Sequence, residues 1–202
     1  MINMRSSDLT LLKKCLQSCN TCALSPQQCE NKYVVIPSGP LSSFMIVGEA
    51  PGADEDEAAE PFVGRSGQLL DTLLKKAKIK REQVYITNVV KCRPYTKKGK
   101  FKSNRTPTKR EILSCDWLER EIALIKPKVV VPLGATALRA VCGDLPKTLK
   151  LGDYIGTQMD EGYGYVTVPC YHPSYLMQHG RKFMDTAVKA LALARKVAQG
   201  NA

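Results

Sequence analysis

The chain's chemically suggestive residues fall into two sets. The first is a set of cysteines: Cys19-Asn-Thr-Cys22 near the N-terminus, with Cys92 and Cys115 far downstream. Four thiolates gathered from distant segments can hold a metal ion or an iron-sulfur cluster. The second set is a carboxylate, a carboxamide and an imidazole, Glu49, Asn88 and His172, each of which comes within four residues after a short apolar run.

Those runs are the elements that must position them. Phe44-Met-Ile-Val47, Val84-Tyr-Ile-Thr87, Val129-Val-Val-Pro-Leu133 and Tyr165-Val-Thr-Val168 read as strands buried on both faces of a parallel sheet. Helical stretches separate them. Leu9, Leu12 and Leu16 predict a helix over Ser7 to Ser18, and GQLLDTLLKKAK predicts another from Gly67 to Lys78. A third starts at Thr108, where Thr-x-x-Glu111 forms a capping box, and runs to about Lys126 before Pro127. A short helix over Thr136 to Val141 and a last one from about Arg181 to Ala198 complete the pattern. Tyr95 to Arg105, polar and basic, reads as a flexible segment, and the acidic run Asp54 to Glu60 as a solvated face. The alternation predicts an α/β fold, a three-layer α/β/α arrangement around a central, mainly parallel four-stranded sheet, in one domain spanning 1–202.

In such sheets ligands bind outside the carboxyl ends of the strands. Glu49, Asn88 and His172 therefore converge on one rim, and the trio suits a planar heterocycle. Asn88 offers a donor and an acceptor side by side, as an imide edge requires, and His172 can donate to a second carbonyl. Phe62, on a loop leaving the same rim, can stack on a base; each of these residues also has a plainer reading as a cap, a turn, a strand end or a core aromatic.

Composition narrows the partner. Thirty Lys and Arg against 19 Asp and Glu leave a net charge of +11, which favours a polyanion. Lys98, Lys100, Lys102 and Arg105 lie in the densest basic stretch and are the candidate phosphate contacts. The N-terminal MINMRSSDLT carries no apolar run ahead of a cleavage site, and no stretch approaches the roughly 20 apolar residues of a membrane span. A soluble, cytoplasmic protein is expected, with eight cysteines kept as thiols or ligands rather than disulfides. Cys142 and Cys170 read as small core residues; Cys15 and Cys29 lie near the Cys19 turn, whose tightness favours Cys19 and Cys22 as ligands.

Taken in order, GEAPGADED, PFVGRSGQLL, VYITNVVKCRP, NRTPT, VVVPLGATA and YHPSYL resemble the family 4 uracil-DNA glycosylases, the iron-sulfur group of their superfamily. The resemblance spans about Leu11 to Leu193. It implies hydrolysis of the N-glycosidic bond of uracil in single- or double-stranded DNA, by a monomer, leaving an abasic site for base excision repair. It also implies a [4Fe-4S] cluster on Cys19, Cys22, Cys92 and Cys115; tetrahedral zinc is the competing occupant, although zinc ribbons show two C-x2-C knuckles and here 22 residues separate the second pair.

By the same resemblance Glu49 and Ala50 line the base pocket, Phe62 stacks on uracil, Asn88 reads its imide edge and His172 contacts the O2 side. Glu49, Asn88 and His172 are then the catalytic candidates. Many members of the superfamily carry Gln followed by Asp in the first motif, where this chain has Glu49 and Ala50, so the usual water activator is absent. A sister group carries a histidine in a Lys/Arg-rich loop that traps the sugar covalently. Asn104 stands in its place here, which predicts ordinary turnover. Excision of another modified pyrimidine, or nucleic-acid binding without catalysis, are the alternatives.

Overall fold

In a computed structural model the structure describes residues 4–200 apart from 144, 146, 147, 149 and 161. The chain opens with helix α1 (Met4–Gln17) and runs irregularly to the first strand, β1 (Phe44–Gly48). Helices α2 (Ala53–Ala58) and α3 (Arg65–Lys76) lead to β2 (Tyr85–Asn88). A hairpin follows, β3 (Tyr95–Lys98) and β4 (Phe101–Asn104), and then α4 (Lys109–Leu113) and α5 (Trp117–Ile125). The remainder is β5 (Val129–Pro132), α6 (Ala135–Cys142), β6 (Val166–Thr167), α7 (Pro173–His179) and α8 (Met184–Gln199).

The main sheet has the order β2-β1-β5-β6, with every pairing parallel. Because side chains alternate across it, its two faces bury different sets. Phe44, Ile46, Ile86, Val129 and Val131 pack with Leu70, Leu73 and Leu74 of α3 and with Ala187, Ala190, Leu191 and Ala194 of α8. Met45, Val47, Tyr85 and Val130 pack with Leu16, Leu118, Ile125, Leu138 and Val141 from α1, α5 and α6. This is the three-layer α/β/α arrangement expected from the sequence. Among the described residues no helix is long and apolar enough to cross a membrane.

Three local readings change. The helix expected from Thr108 to Lys126 is two helices. Thr108 and Glu111 do form the capping box, but the Ser114 hydroxyl donates to the Arg110 carbonyl at 2.8 Å, and the chain turns at Ser114-Cys115-Asp116 before α5 begins. A side chain that bonds back to the preceding turn loosens a helix there. The segment from Tyr95 to Arg105, expected to be flexible, is the β3–β4 hairpin, with register Tyr95↔Asn104 to Lys98↔Phe101. Its two-residue turn has Gly99 at φ 61°, the first central position of a type II′ turn that glycine fills at no steric cost. The acidic run is in part helix α2, and Asp56 is buried.

Candidate active site and thiol corner

All four strands of the main sheet run the same way, so their carboxyl ends form one rim. Gly48 and Asn88 are register partners at that rim. Leu133, just past β5, bridges to Cys170, two residues before His172. A cleft of about 1060 Å³ opens there, and its lining includes Glu49, Ala50, Phe62, Asn88, Gly134 and His172. The five residues expected to surround a base are therefore together.

Gly48 sets the spacing of the cleft floor. A Cβ added to it would lie 2.3 Å from Asn88 Oδ1 and 2.6 Å from Phe62 Cζ, so the carboxamide and the ring edge close over a bare backbone. Asn88 and Phe62 are both buried. The Phe62 and His172 ring centroids stand 6.0 Å apart.

Phe62 holds a left-handed backbone, φ 55°, which for a non-glycine residue costs on the order of 1–3 kcal/mol and needs support. The support is visible. Gly67 packs so tightly on the Phe62 carbonyl that an added Cβ would sit 1.8 Å from its oxygen. Arg81 donates to the carbonyls of Pro61 and Phe62 at 2.9 and 3.3 Å. Glu55 accepts from the backbone N–H groups of Gly52, Val63 and Gly64 at 3.0, 3.1 and 3.0 Å. Sequence reasoning missed Glu55, taking it for part of a solvated acidic face; it stitches the glutamate loop to the phenylalanine loop. The Asp56 carboxylate does similar work lower down, accepting from the backbone of Lys32 and Tyr33.

His172 precedes α7, with Pro173 in the first turn. The Ser174 backbone N–H donates to Nδ1 at 3.2 Å, and the Ser174 hydroxyl lies 2.7 Å from the same nitrogen. Nδ1 is thus an acceptor, and the proton of the neutral ring belongs on Nε2. Burial pushes the imidazole below its usual pKa, with the Glu49 and Glu55 carboxylates pulling the other way. The ring is a neutral donor at physiological pH.

The basic candidates divide. Lys102 pairs with Glu30 and sits over the Tyr95 ring, and Arg105 makes a two-pronged ion pair with Glu111 at 2.8 and 2.6 Å. That pair holds the Glu111 carboxyl down at about 2. Lys98 and Lys100 are exposed at the hairpin turn. Asn104 lines the cleft, its carboxamide oxygen accepting from Arg93 Nε at 2.7 Å.

The cysteines Cys19, Cys22, Cys92 and Cys115 gather on the opposite side of β2 from α3, packed against the core beside Trp117. Burial pushes the Cys92 thiol far up, and Cys22, Cys115 and Cys19 add to that rise. Donors already face the sulfurs: Trp117 Nε1–H reaches Cys19 Sγ at 3.1 Å, and the backbones of Lys91 and Trp117 hydrogen-bond Cys115. Among the described residues no three His, Cys, Asp or Glu side chains stand close enough to hold one metal ion. A tetrahedral zinc site requires four sulfurs to share one ion at about 2.3 Å. A cubane takes one thiolate per iron, so its ligands need not converge on a point. Cys29 instead points its thiol at the carbonyls of Leu24 and Ser25, Cys15 is exposed, and Cys142 and Cys170 are buried as small core residues.

A family model described as the uracil DNA glycosylase superfamily matches residues 37–194. The chain belongs to that superfamily. Its relatives include a type-4 uracil-DNA glycosylase of Thermotoga maritima, 38% identical over 87% of this chain and 86% of the relative. A type-4 enzyme of Pyrobaculum aerophilum is 37% identical over 85% of each chain. A type-5 uracil-DNA glycosylase from the same organism is 32% identical over 79% of this chain and 74% of its own length.

Proposed function

We propose that this superfamily member excises uracil from DNA, hydrolysing the N-glycosidic bond and releasing the free base. The observation that carries the reading is the closure of Phe62 and Asn88 over Gly48, in a cleft that His172 and Glu49 also line. A base cannot reach such a cleft from inside a duplex, so the nucleotide enters flipped or from a single strand.

Phe62 stacks on the uracil ring and Asn88 reads its imide edge. As the bond lengthens, negative charge grows on the base and positive charge on the sugar. The neutral Nε2–H of His172 donates to the O2 side, a preorganised dipole aimed where charge develops. The Glu49 carboxylate lies near enough to act on His172 electrostatically and holds the attacking water, while its charge favours the cationic sugar. Ala50 supplies backbone only. Asn104 is no nucleophile at neutral pH, so the abasic product leaves without a covalent adduct.

The thiol corner is read as the seat of a [4Fe-4S] cluster on Cys19, Cys22, Cys92 and Cys115, where it would cross-link the N-terminal turn to the segments around β2 and α5. Iron and acid-labile sulfide should vanish in Cys92→Ser and persist in Cys15→Ser. The main test is an oligonucleotide with a single uracil, incubated with protein and then alkali: cleavage at that position supports the reading, and an intact strand refutes it. Glu49→Gln should lose most of the single-turnover rate, and full retention removes Glu49 from the water step.

A further inference from the structure

The β3–β4 hairpin has two unlike faces. Residues paired across it alternate, so Tyr95, Lys97, Lys102 and Asn104 share one side and Thr96, Lys98, Phe101 and Ser103 the other. The first side is docked on the body of the protein. Lys97 and Lys102 both engage Glu30, the Tyr95 hydroxyl accepts from the Glu30 backbone N–H, and Asn104 accepts from Arg93. The second side is bare. Thr96, Lys98, Phe101 and Ser103 are all exposed, and Phe101, at 81%, is the most exposed of the large apolar side chains described.

This phenyl ring stands on a paired hairpin that is docked on one side, not on an irregular loop. Its face is open to solvent and free to stack on a flat partner. The charges around it say what covers it. Lys98 is its register partner and Lys100 its neighbour, and neither has an ion-pair partner among the described residues, whereas Lys97 and Lys102 are committed to Glu30. An aromatic ring flanked by uncommitted cations matches the surface of a nucleic-acid strand, which presents base faces between phosphates. The hairpin also ends at the cleft, because Asn104 lines it. Three residues of extended strand separate Asn104 from Phe101, roughly 10 Å, which is about three base steps of a stacked strand.

Resting on the reading of the cleft as a uracil site, we infer that the β3–β4 hairpin is a second DNA contact, in which Phe101 stacks on a nucleobase about three positions from the extruded nucleotide while Lys98 and Lys100 grip the adjoining phosphates. The cleft then selects the base and the hairpin holds the strand that carries it.

The test uses the whole chain and oligonucleotides in which the target carries a cleavage-resistant 2′-fluorinated deoxyuridine and 2-aminopurine occupies one of the first five positions on either side. With the unmodified sequence, one of these positions should report stacking by quenched fluorescence on binding. Phe101→Ala should abolish that quench and weaken binding on the order of tenfold, Phe101→Trp should restore both, and Leu11→Ala, an exposed apolar residue on α1, should change neither. Phe101→Ala binding within twofold of the parent, or weaker binding with an unchanged fluorescence profile, overturns the inference. Release of uracil by the parent chain from a cleavable oligonucleotide is scored alongside: its absence counts against the uracil reading, whereas its presence with an indifferent Phe101→Ala counts against the hairpin alone.

Discussion

Gly48→Ala tests the cleft more sharply than removal of any functional group, because it adds one methyl and deletes nothing. The glycine is not in the left-handed region, so alanine meets no backbone strain there. The methyl would arrive 2.3 Å from Asn88 Oδ1 and 2.6 Å from Phe62 Cζ, and ordinary contact requires about 3.4 Å, so Asn88 and Phe62 must each retreat by roughly 1 Å. β1 cannot yield instead, since it is hydrogen-bonded to β2 on one side and β5 on the other. Overpacking of this kind destabilises by about 1–3 kcal/mol. A displacement near 1 Å of groups that orient a reacting base costs on the order of 100-fold in rate. The assay is single-turnover excision from a uracil oligonucleotide at saturating protein, with thermal unfolding measured in parallel. A variant that remains folded and excises within a few-fold of the parent would show that Asn88 and Phe62 do not form the recognition slot.

His172→Ala should slow excision by about 100- to 1000-fold, as loss of an oxyanion donor does, read by the same assay. Because burial lowers the His172 pKa, the parent's rate should hold as pH falls through about 6.5, whereas a decline centred there would mean an ordinary, solvated imidazole. The sign for stability follows: the unfolded chain takes up the proton first, so the neutral ring's contribution is present above about 6.5 and is lost as pH falls through the lowered folded value, a loss that His172→Gln should lack in pH-dependent melting. Lys91 and Glu121 form a buried pair at 2.9 Å, with Lys91 2% and Glu121 0% exposed in their side chains. Lys91→Met leaves the buried carboxylate without its ion-pair partner and should cost about 3–5 kcal/mol in denaturant unfolding, while Lys91→Met with Glu121→Leu should recover most of it.

The frame of the molecule was legible because parallel strands buried on both faces write themselves as unbroken apolar runs, and their shared direction brings whatever follows them to one rim. Glu49, Asn88 and His172 could thus be placed together from linear text. Phe62 was legible only as a type of residue on a suitable loop; its left-handed backbone and the brace of Gly67, Arg81 and Glu55 depend on contacts between segments. Glu55 and Asp56 were misjudged for the same reason, since acidic residues in a row look alike whether they face water or accept three backbone N–H groups. The hairpin escaped because its strands carry lysines where a core-facing strand carries valine: it is held by Glu30, more than 60 positions away, rather than by apolar periodicity. The break at Cys115 was hidden because a capping box and apolar spacing on either side fit one continuous helix.

The two chemical regions are joined by a stretch of five residues, Asn88 to Cys92. Asn88 closes β2 in the cleft, and Cys92 ends the same stretch in the thiol corner. Between them the Lys91 ammonium donates to the Asn88 carbonyl and the Thr87 hydroxyl, each at 2.6 Å, and to Glu121 on α5 at 2.9 Å. Cys115 lies just ahead of α5, and the backbone of Lys91 hydrogen-bonds it. Asn88 is therefore oriented from below by the same residues that line the cysteines. A buried lysine with three satisfied donors has one low-energy position, and it is available only while α5 and the segment after β2 stay docked. The thiol corner can then influence excision through the position of the carboxamide, without any of its groups approaching the base. On this geometry, Lys91→Met should depress the excision rate by more than its loss of stability explains, at temperatures where the fold is intact. A rate that simply tracks the folded fraction would mean that Asn88 holds its place unaided.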